Sequence, residues 1–223
     1  SENYTGIRYD CILSGLSLDT IGLHVDKVKD ALEQVPGNLI IKWYPTKSIS
    51  LMGIRSHLTK LKTLGIEPDI VLLDYIDLLK YENNKLAKHE MLEVLYEEYR
   101  GLGGEFQVPV WTVSQSNRGN MNSDTIEADG IAGAYAKIFP TDFAMSLSRK
   151  AQDKLSNTAR VHINKNRNGP DGITFPAFMD TNKGKIQIFE EASETGKDLR
   201  KDMKSDSTYD RQMIAKRVLE LKG

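Results

Sequence analysis

A short apolar run that ends in an aspartate limits the possible folds of this chain more than any other feature. Residues 70–73 are all aliphatic, Pro68 precedes them and Asp74 follows them. A short run without polar alternation is typical of a strand covered on both faces, as in a parallel sheet. An aspartate directly after such a strand lies at the carboxyl edge of the sheet, where open α/β folds bind ligands. The alternative is a structural strand that ends in aspartate without any role in binding.

The composition is that of an ordinary globular protein with one main domain. The chain has 223 residues, of which 27% are charged and 39% hydrophobic. Its net charge of −1 means that any nucleic-acid binding must come from a local basic patch. Cys11 is the only cysteine, which excludes an internal disulfide, and the histidines show no metal-binding spacing. No apolar run approaches the ~20 residues of a membrane span and no signal peptide is visible, so we expect a cytoplasmic protein.

Helical and extended patterns alternate through the first half of the chain. We expect helices where apolar residues recur at helical spacing and strands where short apolar runs stand between turn residues. The resulting order is a helix at 24–35, a strand at 39–44, a helix from Ser48 or Ser50 to Gly65, the strand before Asp74, a helix ending at Gly103-Gly104 and a strand at 108–113. Strands and helices in this alternation favour right-handed βαβ units and a parallel sheet.

The pattern changes after Gln115. A polar stretch at 116–124 precedes a short predicted helix at 126–138. Strand-like segments follow at 143–147, 159–164, 173–178 and 185–189, with a Gly-Pro-Asp-Gly turn at 169–172. These segments favour antiparallel hairpins at one edge of the sheet. We therefore expect a main domain at 1–190 and a flexible charged tail at 191–223, with a possible terminal helix at 209–221.

Two groups of polar side chains could carry chemistry. Asp74 and Gln115 end successive predicted strands, so both should lie at one edge, where a carboxylate can hold Mg²⁺ and an amide can contact a γ-phosphate and a water. Lys165 and Arg167 alternate on a strand and should point the same way, without a partner inside their own domain. Two such cations suit an anion such as phosphate. The alternatives are a polar residue that closes a strand and a solvated basic hairpin.

The order of these motifs resembles the DnaB-type hexameric replicative helicases. Residues 68–79 resemble the Walker B segment, and residues 108–118 resemble the next motif, a strand ending in Ser-Gln before a DNA-facing loop. Residues 164–172 resemble the element that supplies a lysine and an arginine finger. The match in order and spacing extends over about residues 1–190. Tyr-Pro-Thr at 44–46 resembles a segment of the phage-encoded members of the family.

The resemblance implies a RecA-like P-loop NTPase core with a mainly parallel sheet, incomplete at its N-terminal side. The complete protein would use ATP and Mg²⁺ to unwind duplex DNA while moving 5′ to 3′ on single-stranded DNA, as a homo-hexamer with primase and a helicase loader as possible partners. In a phage protein the location would be the host cytoplasm. The implied roles are metal binding for Asp74, γ-phosphate sensing for Gln115, contact with the neighbouring subunit's nucleotide for Lys165 and Arg167, and DNA binding for Arg118, Asn120 and Asn122.

The chain departs from the family pattern in one respect. It contains no Gly-x-x-x-x-Gly-Lys-Ser/Thr sequence, the loop whose backbone amides hold phosphates. We therefore expect that this chain alone does not hydrolyse ATP, and that the catalytic glutamate lies upstream of Ser1, with Glu2 as an outside candidate. A RecA-type recombinase ATPase and a non-catalytic RecA-like interaction domain remain as alternatives.

Overall fold

The computed structural model describes residues 1–81, 86–116, 123, 125–130 and 134–190, which form an α/β fold. The helices in this part of the chain are α1 (Glu2–Ser14), α2 (Val25–Glu33), α3 (Leu51–Thr63), α4 (Lys88–Phe106), α5 (Ala134–Ile138) and α6 (Asp153–Ser156). Short 3₁₀ turns lie at Ile21–Leu23, Ile76–Leu78 and Ala128–Gly130. The strands are β1 (Val71–Leu73), β2 (Val110–Thr112), β3 (Phe143–Ser148), β4 (Thr158–Asn166), β5 (Thr174–Asp180) and β6 (Lys185–Ile188).

The predicted parallel pairing is present between β1 and β2. Leu72 lies opposite Trp111, and Leu73 lies opposite Thr112. Helices α3 and α4 cover one face of this pair, since Val71 and Val110 pack against the core that these helices form. The buried members of that core are Leu51, Ile54, Leu58, Ile76, Leu79, Leu95, Tyr96, Tyr99 and Leu102. The βαβ arrangement that the sequence predicted therefore positions the edge at Asp74.

In the described residues the second face of the parallel pair is largely exposed, which corrects the prediction of a strand covered on both faces. Leu72 is 59% exposed and its partner Trp111 is 41% exposed. Side chains alternate across a strand, so α3 and α4 can bury only the faces of Val71 and Leu73. Within the described residues, no other element packs a buried core onto the Leu72 face.

Residues 39–44 do not form the predicted strand. In the described part of the chain they have no paired neighbour, and Leu39, Ile40 and Trp43 are about half exposed. A strand exists only where a second strand accepts and donates its backbone hydrogen bonds. Here the amide of Trp43 instead donates to the Glu2 carboxylate of α1, at 3.0 Å. Helix α1 was itself not predicted, because its apolar residues do not form a stripe and only Cys11 is buried.

Helix α4 continues past the two glycines that were expected to end it. It reaches Phe106, and Gln107 then takes the left-handed conformation, with a φ of 55°. A Cβ atom on Gly103 would lie 3.0 Å from the carbonyl oxygen of Val108 and 3.1 Å from a methyl group of Val110. Gly103 therefore lets the helix approach β2 closely, and this tertiary contact outweighs the low helix propensity of glycine.

The second half of the chain forms an antiparallel sheet of strands β3 to β6 in sequence order. The predicted turn at 169–172 joins β4 to β5, and Gly172 takes a φ of +71° there. Among the described residues, this sheet shares no hydrogen-bonded ladder with the parallel pair. The strands predicted to form one sheet therefore form two separate sheets in this part of the chain. The two approach each other at the rings of Trp111 and Phe143, whose centroids lie 5.9 Å apart.

The core between α3, α4 and the parallel strands should dominate the stability of this part of the fold. Leu102 is 1% exposed, and Leu102→Ala should lower the free energy of unfolding by about 2–5 kcal/mol, because it removes buried methyl groups and leaves a cavity. Leu23 is 80% exposed, and Leu23→Ala should change the free energy by less than about 0.5 kcal/mol. Urea denaturation of both variants checks the difference, and equal losses would contradict this assignment of the core.

Candidate functional site

The carboxyl ends of β1 and β2 bring Asp74 and Gln115 to the same edge of the parallel sheet. Asp74 directly follows β1, and Gln115 lies shortly after Thr112, the last residue of β2. Both residues are exposed. The parallel register, in which Leu73 is the partner of Thr112, is the geometry expected for two ligand-binding side chains at a shared edge.

Thr112 holds the chain on both sides of Asp74. Its hydroxyl donates a hydrogen bond to the carbonyl oxygen of Leu73 at 2.9 Å and accepts one from the amide of Ile76 at 3.2 Å. The turn that presents Asp74 is therefore bound to the neighbouring strand by a side chain as well as by the backbone ladder. Sequence reasoning missed this contact, because a threonine inside a strand is ordinary.

An ion pair between a buried lysine and a partly buried aspartate lies next to this edge and was also missed. Lys137 of α5 is only 4% exposed, and its ammonium group contacts the carboxylate of Asp77 in the 3₁₀ turn after Asp74. The same ammonium group donates to the hydroxyl of Ser114 at 2.7 Å. The Tyr96 hydroxyl donates to the second Asp77 oxygen at 3.3 Å. Burial, and then the nearby Asp77 charge, raises the pKa of Tyr96 well above its usual range.

Lys165 is bound by backbone carbonyls at the end of α5. Its ammonium group donates to the carbonyl oxygens of Ile138 and Phe139, at 3.0 and 2.7 Å. Partial burial, followed by the positive charge of Arg167, lowers the pKa of Lys165. A carbonyl pair of this kind orients the ammonium group without neutralising its charge.

Arg167 pairs with Asp142, at 2.9 Å. Asp142 also accepts two hydrogen bonds from Arg100 of α4, at 2.9 and 3.0 Å. The prediction that Lys165 and Arg167 lack partners inside their own domain is therefore wrong. They do extend in a common direction, since both contact residues 138–142. The hydrogen bonds from Arg100 lower the pKa of Asp142, and the charges of Arg100, Arg167 and Lys165 lower it further.

Glu2, the outside candidate for the catalytic glutamate, is bound to the segment around residue 43. Its carboxylate accepts the Trp43 amide at 3.0 Å and lies 3.3 Å from the ammonium group of Lys42. The hydrogen bond from Trp43, and then the contacts with Lys42, lower the pKa of Glu2. These contacts connect α1 to that segment and give no support to a catalytic role.

The remaining predicted site residues, Arg118, Asn120 and Asn122, lie outside the described residues. Among those that are described, no group of three or more His, Cys, Asp or Glu side chains could hold a metal ion. Asp74 as a single exposed carboxylate still fits Mg²⁺, which usually takes one or two carboxylates together with phosphate oxygens and waters. In the same part of the chain, no helix has the length and apolarity needed to cross a bilayer.

Comparison with known proteins identifies the family. The model of the DnaB-like helicase C terminal domain matches residues 20–185, and the chain belongs to this family. The resemblance inferred from the three motifs is thereby confirmed. A DnaB-like replicative helicase of Enterobacteria phage T4 is 24% identical over 199 residues, which cover 82% of this chain. The chain spans only 41% of the length of that relative.

Two solved structures have a similar fold. One is an ATPase domain, which matches with a TM-score of 0.71 at 18% identity, over 85% of this chain and 72% of that one. The other is a DnaB-like replicative helicase, solved in a study of its interactions with primase, which matches with a TM-score of 0.68 at 18% identity. That second match covers 82% of this chain and 48% of the other. The α/β fold of the chain is therefore similar to that of DnaB-like helicase domains.

Asp142 should contribute stability that depends on pH. Its pKa is lowered below the ordinary 3.8 in the folded state, so the contribution is present above about pH 4 and is lost as the pH falls through the lower folded-state value. At pH 7, Asp142→Asn should lower the free energy of unfolding by roughly 0.5–1 kcal/mol, a value limited by the half-exposed position of the pair. The difference from the parent should shrink towards pH 3. Denaturation across this pH range tests it, with Asp171→Asn in the exposed turn as the control; a difference independent of pH would contradict the assignment.

Proposed function

We propose that the complete protein is an ATP-dependent replicative DNA helicase that moves 5′ to 3′ on single-stranded DNA as a homo-hexameric ring. The observation that supports this most is the parallel β1–β2 pair, which brings Asp74 and Gln115 to one sheet edge in a chain of the DnaB-like helicase family. Primase and a helicase loader are proposed partners. The proposed location is the cytoplasm, or the host cytoplasm for a phage-encoded protein.

Asp74 and Gln115 would serve the nucleotide of their own subunit. The Asp74 carboxylate would hold Mg²⁺, directly or through water, and the metal would offset charge on the β- and γ-phosphates. The Gln115 amide can donate to a γ-phosphate oxygen and accept from a water molecule, which suits a γ-phosphate sensor. Their exposure leaves both side chains free to meet a ligand at this edge. The two contacts of Thr112 around Asp74 would keep the carboxylate in place while the ligand changes.

Lys165 and Arg167 would act on the nucleotide of the neighbouring subunit. Their hydrogen-bond and ion-pair partners lie on residues 138–142 rather than at the Asp74 edge of their own chain. The Arg167 side chain is 45% exposed, and an exposed ion pair is worth at most about 1 kcal/mol, so a phosphate can compete for the guanidinium group. Asp142 would hold Arg167 in position until a neighbouring nucleotide binds.

The polar segment after Gln115 would contact DNA. We propose that Arg118, Asn120 and Asn122 donate hydrogen bonds to the phosphates of single-stranded DNA. With a net charge of −1 for the whole chain, such binding depends on local cations rather than on a general positive potential. Because this segment directly follows Gln115 in the chain, it would couple the state of the nucleotide to DNA binding.

A substitution at Asp74 tests the metal role in the complete protein. Asp74→Asn keeps the shape of the side chain and removes its charge, so Mg²⁺-dependent ATP turnover should fall on the order of 10²-fold or more. Asp69→Asn makes the same change in an exposed residue at the opposite end of β1 and should leave turnover near the parent value. Steady-state hydrolysis across a Mg²⁺ titration measures both. Turnover by Asp74→Asn at the parent rate, with the same Mg²⁺ requirement, would reduce Asp74 to a structural strand end.

Mixed rings test the action of Arg167 on the neighbouring subunit. In the complete protein, Arg167→Ala should lower turnover by about 10³–10⁵-fold while sparing nucleotide binding, as expected for an arginine finger. Mixing this inactive variant with a second one that lacks the P-loop lysine should restore hydrolysis, because some interfaces then pair an intact P-loop with an intact neighbouring finger.

Arg55→Ala is the control for the mixing experiment, since it removes another exposed ion pair of the domain, with Glu105, and should leave turnover near the parent value. Co-assembly of the two inactive variants is measured by pull-down. If they co-assemble and no mixing ratio restores hydrolysis, Arg167 does not act in trans.

A further inference from the structure

We propose that Lys137 is a positioning residue for the γ-phosphate sensor: it fixes the segment that carries Gln115 against the turn that follows Asp74. This inference deepens the proposed function and rests on it. The observation behind it is the buried Lys137 ammonium group, which contacts Asp77 on one side and Ser114 on the other. Asp77 follows Asp74 closely in the chain, and Ser114 directly precedes Gln115.

The contacts of Lys137 connect parts of the chain that are far apart in sequence. Lys137 lies 60 residues from Asp77 and 23 residues from Ser114. The hydrogen bond to Ser114 joins α5 to the exit of β2, and the ion pair joins α5 to the exit of β1. The last hydrogen-bonded pair of the β1–β2 ladder is Leu73 and Thr112. Beyond that pair, the Lys137 side chain sets the distance between the segments that follow the two strands.

A contribution to stability alone does not explain why a lysine is buried at this position. Moving a charged group out of water is costly, and apolar residues of similar volume often replace a buried ion pair without loss of stability. What the pair does supply is a defined geometry, because the ammonium donors satisfy only acceptors at set distances and directions. The Tyr96 hydroxyl further restrains the position of the Asp77 carboxylate by donating to its other oxygen, at 3.3 Å.

Gln115 needs such support because its own side chain is exposed. The β1–β2 ladder ends at Thr112, so the ladder does not hold Gln115. A sensor that must meet a γ-phosphate loses rate when its position varies by even about 1 Å. The hydrogen bond from Lys137 to Ser114, at 2.7 Å, restrains the residue that precedes the sensor.

The test uses the complete protein and a variant that removes both charges of the pair. Asp77→Asn with Lys137→Met avoids leaving one buried charge unpaired. The kcat for ATP in the presence of single-stranded DNA should fall at least about tenfold, with KM within about threefold of the parent, because a misplaced sensor affects the reaction more than binding. Ser114→Ala should lower kcat in the same direction, and it decides the matter if the double variant does not fold.

A second ion pair, in which both side chains are buried, provides the control. Arg160 and Asp153 pair at 2.7 Å in the antiparallel sheet region, with side chains 9% and 5% exposed. Asp153→Asn with Arg160→Met should lower the melting temperature but leave the kcat of the folded protein within about threefold of the parent. If the Asp77→Asn, Lys137→Met variant also keeps kcat within about threefold of the parent, Lys137 is a structural residue only. The same conclusion follows if this variant and the Asp153→Asn, Arg160→Met variant lower kcat equally.

Hydrogen exchange separates failure of this inference from failure of the proposed function. A parent protein without DNA-stimulated ATP hydrolysis would overturn the proposed function. The position of the segment would then be judged from amide exchange in a peptide covering residues 110–116, which should be at least about tenfold faster in the Asp77→Asn, Lys137→Met variant. Unchanged exchange in that peptide would overturn the positioning role, whatever the activity of the parent.

Discussion

The parallel pairing of β1 with β2 is the interaction on which the candidate site depends. It aligns Leu73 with Thr112, so both strands deliver the residues that follow them to one edge. Packing of α3 and α4 on one face holds the pair in place, and Thr112 adds a side-chain hydrogen bond on each side of Asp74. Without this register, Asp74 and Gln115 would not share an edge at which one ligand could meet both.

Helix α5 and the turn after it connect that edge to the basic hairpin. Lys137 reaches inward to Asp77 and Ser114, while the carbonyl oxygens of Ile138 and Phe139 bind Lys165. A few residues thus carry contacts to both groups of polar side chains. The lysine of the inward contact is buried, whereas the outward contacts are half exposed and open to competition by solvent or an anion. This contrast is consistent with the proposed roles, in which Gln115 serves the nucleotide of its own subunit and Lys165 and Arg167 serve that of a neighbour.

The exposed apolar face of the parallel pair follows from the same alternation that forms the core. Val71 and Val110 pack against the core of α3 and α4, whereas Leu72 and Trp111 point to the opposite side.

The chain spans 41% of the length of its phage T4 relative and 48% of one similar structure. The described domain therefore corresponds to only part of each of these two proteins.

The sequence by itself determined the elements whose signals are local. An apolar run before Asp74, apolar stripes at helical spacing and a Gly-Pro-Asp-Gly turn depend on neighbouring residues, so β1, α2, α3 and the β4–β5 hairpin were predicted. Tertiary structure decided whatever needed a distant partner. Residues 39–44 lack a second strand in the described part of the chain, Arg167 finds Asp142, Gly103 lets α4 continue against β2, and Lys137 becomes buried beside Asp77. Pairing, close packing and burial of charge are properties of two segments at once, and the spacing within either segment does not reveal them.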